Sequence, residues 1–122
     1  MEEIVKYKQV IVMRKFKNLR TGKYIAQGCH ASTIAMKLAQ SNWKKYYKEY
    51  WEGRIIKIVV YVETEQELRD LYHKALNSDL PCSLVTDAGL TEFNGVPTLT
   101  AVGIGPAPED LIDPITKHLP LF

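Results

Sequence analysis

Two apolar runs constrain the fold of this chain more than any other feature of its sequence. Residues 10–13 are Val-Ile-Val-Met, and residues 55–62 are rich in β-branched side chains. Continuous runs of this kind are typical of strands, and the first is expected to be a central strand that is buried on both faces. Nothing breaks a helix between Lys23 and Gln40. A strand, a helix and a second strand predict a crossover between two parallel strands.

A short helix rich in aromatic residues is predicted between these strands, over residues 43–52. Its aromatic residues recur at helical spacing between lysines, and Gly53 stands where a C-cap is expected. Two interpretations are open. Such a stripe packs a short helix against the core while its lysines stay in water. Alternatively, aromatic rings between lysines form a stacking surface for bases.

The second half of the chain completes the predicted sheet. A capping-box pattern at Thr64 opens a third helix. Strands follow at residues 82–85 and 99–104, and Pro106 is expected to stop the second of them. A short last helix follows, which Pro114 is expected to interrupt. Because the last two strands follow each other without a helix, we predict an α/β fold: a three-layer α/β/α sandwich with a mixed four-stranded sheet.

The bulk properties are those of an ordinary globular protein. A chain of 122 residues is long enough to bury its own core, so residues 1–122 are expected to form a single domain. No signal peptide is apparent, and no apolar run approaches the length that spans a membrane. The two cysteines are too few for a disulfide framework, which predicts a cytoplasmic protein. The three histidines have no metal-ligand spacing, so we expect neither a metal nor another cofactor.

The net charge of +2 conceals an uneven distribution of charged residues. The C-terminal third of the chain is acid-rich, with five acidic residues against Lys117 alone. The segment from residue 6 to residue 23 contains no acidic residue and seven basic ones: Lys6, Lys8, Arg14, Lys15, Lys17, Arg20 and Lys23. This distribution predicts one basic face, which suits a phosphate-bearing partner.

The start of the long helix is the first candidate for a functional site. Thr21 is predicted to be its N-cap, and Gly22 is expected to let the backbone bend sharply and approach a ligand closely. At about 100° per residue, Lys23, Gln27 and His30 fall within roughly 60° of one another and form one stripe. A cation, an amide and an imidazole beside a helix N-terminus suit an anion. The alternative is the ordinary solvated stripe of an amphipathic helix.

The end of the strand at residues 82–85 provides the second candidate. Asp87 follows this strand, at a position where α/β folds place binding and catalytic groups. Thr91 is four residues away, so their side chains are expected to meet if the segment forms a helical turn. Thr98 and Thr100 add hydroxyl groups near the start of the next strand. The alternative is that Asp87 only caps its own turn, as is common in an Asp-x-Gly sequence.

Four sequence blocks in the same order resemble those of a known family. They are Gly22-Lys23-x-x-x-Gln27-x-x-His30-Ala31, Thr86-Asp87-Ala88-Gly89-Leu90-Thr91, Gly103-Ile104-Gly105-Pro106-Ala107-Pro108 and Thr116-Lys117-His118-Leu119. From about Lys8 to Phe122 the chain is similar to the type II peptidyl-tRNA hydrolases. This resemblance implies a mixed four-stranded sheet between helices. It also implies hydrolysis of the ester that joins a peptide, or an N-blocked amino acid, to the terminal ribose of tRNA.

The resemblance also implies a division of catalytic roles. Asp87 would orient, and in part deprotonate, the attacking water. Lys23, with a hydroxyl from Thr91 or Thr98, would stabilise the oxyanion or hold the terminal phosphate. His30 would orient Lys23 or the substrate ribose. His30 is not expected to be the base, because no serine or cysteine nucleophile is positioned with it.

Substrate contacts are expected from the helix start and from the basic segment. The residues predicted to bind the substrate are Gly22, Gln27, Thr98, Arg20 and Lys17. The sequence departs from the family pattern in two places, because Arg20-Thr21 replaces a second Gly-Lys pair and Thr86 replaces an arginine. Loss of that arginine removes one phosphate contact and one charge that would hold Asp87 ionised.

The resemblance names tRNA as the partner, bound through phosphates on the basic face with little contact to bases. It also implies a homodimer, because members of the family are often dimeric. Two other functions are compatible with the sequence. One is a non-catalytic RNA-binding or adaptor domain on the same fold. The other is an esterase for another small acyl ester, for which the basic face is incidental.

Overall fold

The computed structural model describes residues 4–122, in which the predicted order of strands and helices is confirmed. The elements in chain order are β1 (Tyr7–Arg14), α1 (Thr21–Asn42), α2 (Lys44–Glu52), β2 (Ile56–Val62), α3 (Glu65–Asn77), β3 (Cys82–Asp87), β4 (Thr98–Pro108) and α4 (Glu109–Thr116). None of the helices in this described part is long and apolar enough to cross a lipid bilayer.

The four strands form one mixed sheet in the order β2-β1-β4-β3. β1 pairs with β2 in parallel, as the helical crossover between them requires. β4 runs antiparallel to both of its neighbours, β1 and β3. The six residues between the ends of β1 are all buried, which confirms its prediction as a central strand. The order places β3 at the sheet edge opposite β2.

Helices cover both faces of the sheet. Successive side chains of a strand point to opposite faces, so the buried strand β1 contributes to a separate core on each face. Val10 and Val12 of β1 belong to a core that includes apolar residues of α3 and α4. Ile11 and Met13 belong to a second core with Ala31 of α1. The three layers predicted from the sequence are therefore present, and α1 packs on the face that carries Ile11 and Met13, with its start near the carboxyl end of β1.

Two prolines were expected to end elements that in fact continue past them. β4 runs through Pro106 to Pro108 instead of stopping there. The register against β1 shifts between Lys8 and Val10, so Gln9 faces two residues of β4. Such a bulge accommodates a proline, which has no N–H to donate to the ladder. Pro114 similarly lies within α4, which continues to Thr116.

The predicted helix ends are partly confirmed. The Thr64 hydroxyl accepts the Glu67 N–H at 3.1 Å, and Gly53 is the C-cap of α2, both as predicted. At the start of α1, however, the N-cap is Arg20, and Thr21 is already the first helical residue. No side chain caps this end. The positive end of α1 therefore keeps its backbone N–H groups uncapped by side chains.

The aromatic helix α2 packs mainly inward. Tyr50 is buried, and its hydroxyl donates to the Ile56 carbonyl oxygen at 3.1 Å. Tyr46 packs against the core that contains Val10. Among the aromatic residues of α2, only Trp51 is exposed, with about half of its surface accessible. This arrangement favours the packing interpretation of the stripe over a base-stacking surface.

Candidate active site

An ion pair between Lys23 and Asp87 lies at the centre of the candidate site. The Lys23 Nζ lies 2.6 Å from the Asp87 Oδ1, and the two side chains are only 18% and 10% exposed. Lys23 stands in the first turn of α1, and Asp87 is the last residue of β3. The sheet therefore brings together the two candidate regions of the sequence. A shielded pair of this kind interacts more strongly than a surface pair in water.

Three donors hold the Asp87 carboxylate in place. The Oδ1 accepts from Lys23 and, at 3.4 Å, from the Gln27 Nε2, while the Oδ2 accepts the Gly89 N–H at 2.8 Å. The Gly89 contact is the turn cap that the alternative interpretation of Asp87 expected. Capping and pairing with Lys23 thus occur together, because they use different oxygens. A carboxylate has about four acceptor positions, so one position on the Oδ2 is left for a water molecule.

These contacts lower the pKa of Asp87 from its ordinary value. The largest cause is the hydrogen bond from Lys23, whereas burial acts in the opposite direction and raises the pKa. The Gly89 hydrogen bond and the charges of Lys23 and His30 lower it further. Thr86, where the family resemblance leads us to expect arginine, carries no charge and is exposed. Lys23 therefore supplies the charge that keeps Asp87 ionised without that arginine.

A buried hydrogen bond that the sequence analysis did not predict orients Gln27. The Thr100 hydroxyl donates to the Gln27 Oε1 at 2.6 Å, and both residues are buried. Because the amide oxygen is occupied by Thr100, its NH₂ group points to Asp87. Thr100 was noted only as a hydroxyl near the start of β4. The available signal was a hydroxyl residue inside an otherwise apolar run.

Thr91 contacts Lys23 rather than Asp87. The segment 88–97 is irregular, so the expected helical turn does not form. The Lys23 Nζ lies 3.3 Å from the Thr91 hydroxyl oxygen, and Lys23 thereby bridges Thr91 and Asp87. Gly89 is required in this loop, because its φ is +81° and a Cβ there would lie 2.3 Å from the Val96 carbonyl oxygen.

Three other predicted site residues make no direct contact with the Lys23–Asp87 pair in residues 4–122. His30 is exposed and affects Asp87 only through its charge. Thr98 is paired with Asp87 in the β3–β4 register, but its hydroxyl donates to the Val96 carbonyl oxygen at 2.8 Å. Gly22 is a helical residue without a positive φ, so it makes no sharp bend, but the space beside it is open.

The basic residues between Lys6 and Lys23 lie in different surroundings. Lys8 is buried and paired with Asp113 of α4, because it lies on the same face of β1 as Val10 and Val12. Arg20 is exposed near the site, and its Nε lies 3.4 Å from a Glu92 carboxylate oxygen. Lys17 lies on the other side of α1, where it lines an apolar groove of about 790 Å³ between α1 and β2. Of the two basic residues expected to bind the substrate, only Arg20 lies beside the loop 88–97.

Thr100→Val is expected to lower the free energy of unfolding by about 1–3 kcal/mol, because it leaves the buried Gln27 oxygen without a donor. Valine has nearly the shape of threonine, so packing is retained. Urea denaturation of the two proteins measures the difference. Thr98→Val is the matched control, since the Thr98 hydroxyl bonds only to its own loop and its loss is expected to cost less than ~0.5 kcal/mol. Equal losses from both substitutions would contradict the assigned role of Thr100.

The fold and this arrangement together define an α/β protein with a lysine–carboxylate site at one end of a mixed sheet. The family model described as peptidyl-tRNA hydrolase PTH2 matches residues 7–122 of the chain. The chain therefore belongs to this family.

Named relatives match over nearly the whole chain. A "Peptidyl-tRNA hydrolase" of Methanocaldococcus jannaschii is 42% identical over 115 residues, which cover 94% of this chain and 99% of the relative. A protein of the same name from Thermococcus onnurineus is 39% identical over 116 residues, covering 95% and 98%. A "Probable peptidyl-tRNA hydrolase 2" of Dictyostelium discoideum is 37% identical over 121 residues, covering 99% of this chain but 57% of that longer protein.

Proposed function

We propose that this protein hydrolyses the ester bond between an N-blocked aminoacyl or peptidyl group and the 3′-terminal ribose of tRNA. The observation that carries the proposal is the Lys23–Asp87 pair, 2.6 Å apart and bridged to Thr91, in a chain of the peptidyl-tRNA hydrolase family. Ester hydrolysis needs an oriented water and a positive group where negative charge develops. The pair offers both on adjacent side chains.

Asp87 holds the attacking water in this mechanism. Its Oδ2 has one acceptor position left after the Gly89 contact, so the water donates a hydrogen bond there. The lowered pKa makes Asp87 a weak base. Its main contribution is therefore orientation of the water, and it takes up a proton only as the water oxygen bonds to the carbonyl carbon. The proton then passes to the ribose oxygen as that oxygen leaves.

Lys23 stabilises the oxyanion that forms on the carbonyl oxygen. An ammonium group has three N–H donors, and the contacts of Lys23 to Asp87 and Thr91 use two of them. The third is free for the substrate. Its position in the uncapped first turn of α1 adds the positive end of the helix to the same place. Gln27 keeps the carboxylate facing Lys23, and Thr100 keeps Gln27 in place.

The proposal is tested by incubating the protein with an N-acetylated aminoacyl-tRNA and with the same aminoacyl-tRNA unblocked. Release of the acetylated amino acid alone is the expected result. The KM for the N-acetylated aminoacyl-tRNA is expected to rise steeply with salt concentration, because tRNA phosphates are held by exposed cations such as Arg20. Salt-independent cleavage of a small acyl ester would instead indicate a general esterase. Salt-sensitive tRNA binding without any turnover would indicate an adaptor domain, for which no observation speaks at present.

We also propose, from the family resemblance alone, that two copies of the chain associate into a homodimer. Sedimentation equilibrium is expected to give twice the mass of the chain, and a monomer at micromolar concentration would contradict the proposal. A cytoplasmic location remains a prediction from cysteine usage, for which fractionation of the producing cells is the test.

A further inference from the structure

A stack of three side chains lies beside the candidate active site and takes no part in the mechanism above. The Arg14 guanidinium lies 4.6 Å from the centroid of the Phe16 ring. The Phe16 ring lies 5.0 Å from the Phe93 ring, with the planes tilted by 49°. Arg14 ends β1, whereas Phe93 belongs to the loop 88–97 that carries Thr91. The stack therefore joins the end of the sheet to the loop of the site.

Hydrogen bonds hold two members of the stack, Arg14 and Phe16, in place. Arg14 donates from its Nη1 to the Leu99 carbonyl oxygen at 3.2 Å. The backbone N–H and carbonyl oxygen of Phe16 are both bonded to the Tyr24 hydroxyl, at 2.8 and 3.0 Å. Phe16 is held in this way, and Phe93 packs on it, so the two rings lose little conformational entropy when a ligand binds. The stack is accordingly a preorganised surface.

The Arg14 guanidinium faces the Phe16 ring and gives one N–H to the Leu99 carbonyl oxygen. No carboxylate of residues 4–122 forms an ion pair with it, and its buried Nε has no hydrogen-bond partner there. A buried donor without an acceptor is uncommon in native proteins and calls for an explanation. The charge of Arg14 acts on the face of Phe16, and the Phe16 ring in turn packs against Phe93.

The loop that carries Phe93 also exposes two apolar side chains. Leu90 is 86% exposed and Val96 is 59% exposed in the same loop. Phe93 itself is partly exposed. Exposed apolar side chains around a partly open aromatic ring mark a contact surface rather than a solvated loop. A flat aromatic ligand group would cover them.

We propose that Phe93, supported by Phe16 and Arg14, stacks on the base of the 3′-terminal nucleotide of the tRNA substrate. This proposal rests on the proposed function, because it assumes that the ester lies at Lys23. Phe93 is two residues from Thr91, so their Cα atoms are at most about 7 Å apart, a separation that a single nucleotide spans. Proteins bind unpaired nucleotides by stacking their bases on aromatic rings, which makes the unpaired 3′ end the fitting ligand.

The test compares two small esters of the same N-acetylated amino acid, one on the ribose of the dinucleotide CpA and one on a ribose without a base. Phe93→Leu is expected to raise the KM for the CpA ester by about 10- to 100-fold, because base–aromatic stacking is lost. The KM for the baseless ester is expected to stay unchanged. Phe93→Tyr retains an aromatic face and is the matched control, with both KM values unchanged.

Equal losses on both esters would overturn the proposal, because they would show that Phe93 only supports the loop. An unchanged KM for the CpA ester would overturn it as well. A binding measurement separates it from the hydrolytic function: fluorescence anisotropy of an oligonucleotide ending in CCA needs no turnover. Phe93→Leu is expected to weaken this binding to the level of an oligonucleotide whose last base is missing. Absence of any difference between the two oligonucleotides in the wild type refutes the stack as a base site.

Discussion

Asp87→Asn is expected to lower kcat for N-acetylated aminoacyl-tRNA by about 10²- to 10⁴-fold, the usual contribution of a group that orients and deprotonates a nucleophile. Asparagine keeps the size of the side chain, and its amide oxygen is able to accept the Gly89 N–H that Asp87 accepts at 2.8 Å. It loses the negative charge that pairs with Lys23 and holds the water. The KM is expected to change much less than kcat, because Asp87 faces the water and not the tRNA phosphates. Single-turnover release of the acetylated amino acid measures the effect.

Asp70→Asn is the matched control for this substitution. Asp70 is exposed on α3, where its carboxylate accepts from Gln66 at 2.8 Å. The control therefore removes one negative charge from the protein without touching the site, and full activity is expected. Circular dichroism and urea denaturation of the Asp87→Asn protein establish that it is folded. A folded Asp87→Asn protein with wild-type turnover would remove Asp87 from the mechanism.

The features that were predictable from the sequence are those that depend on near neighbours in the chain. The capping contact between Thr64 and Glu67 spans three residues and follows from helix geometry alone. The strand β1 follows from an uninterrupted apolar run. Lys23 and Gln27 lie one turn apart, so their common face was fixed before any tertiary contact was known, and both indeed face Asp87.

The features that escaped prediction depend on the register between distant strands. β4 passes Pro106 because a bulge opposite Gln9 removes the need for its N–H, and that bulge exists only in the pairing with β1. Thr100 reaches Gln27 across 73 positions of the chain. Thr98 and Thr100 are two residues apart, so both would lie on the same face of a regular strand. The register between β3 and β4 shifts at this point, between Val85 and Thr86, and it is Thr100 that bonds to Gln27.

Local sequence was also misleading at the helix start. Thr21 is a favoured capping residue, yet the cap is Arg20, whose side chain forms no capping hydrogen bond. The Tyr24 hydroxyl holds the preceding loop at Phe16 and so sets where α1 begins. Lys23 lies in the first turn of the helix with either residue as the cap, and the N–H groups beside it are not capped by side chains. The misplaced cap therefore leaves the position of the proposed catalytic lysine unchanged.

Lys23→Met is expected to lower kcat/KM by about 10²- to 10³-fold, the cost of removing one donor to a developing oxyanion. Methionine keeps the length and the apolar stem of lysine, so packing against α1 is retained. Lys37→Met is the matched control, because Lys37 is exposed and lies 14 residues further along α1, roughly 21 Å away at 1.5 Å per residue. The control is expected to retain full activity.

The pH profile of the residual activity tests whether Lys23 sets the ionisation of Asp87. Lys23 is the first cause of the lowered pKa of Asp87, whereas burial acts in the opposite direction and remains after the substitution. The pKa of Asp87 therefore rises in the Lys23→Met protein. Because the carboxylate is the active form, activity is lost at a higher pH on acidification than in the wild type.

The pH dependence of the free energy of unfolding follows from the same pKa shift. In the wild type the lowered pKa stabilises the folded state above the unfolded pKa of aspartate, and this contribution is lost as the pH falls through the folded pKa. In the Lys23→Met protein that contribution is reduced, because Lys23 is the largest cause of the lowered pKa, so its stability is expected to depend less on pH in the acid range. A Lys23→Met protein with the wild-type acid limb of kcat/KM would show that Lys23 does not set the ionisation of Asp87. The assignment of Lys23 as the charge that keeps Asp87 ionised would then fail, even if activity were lost.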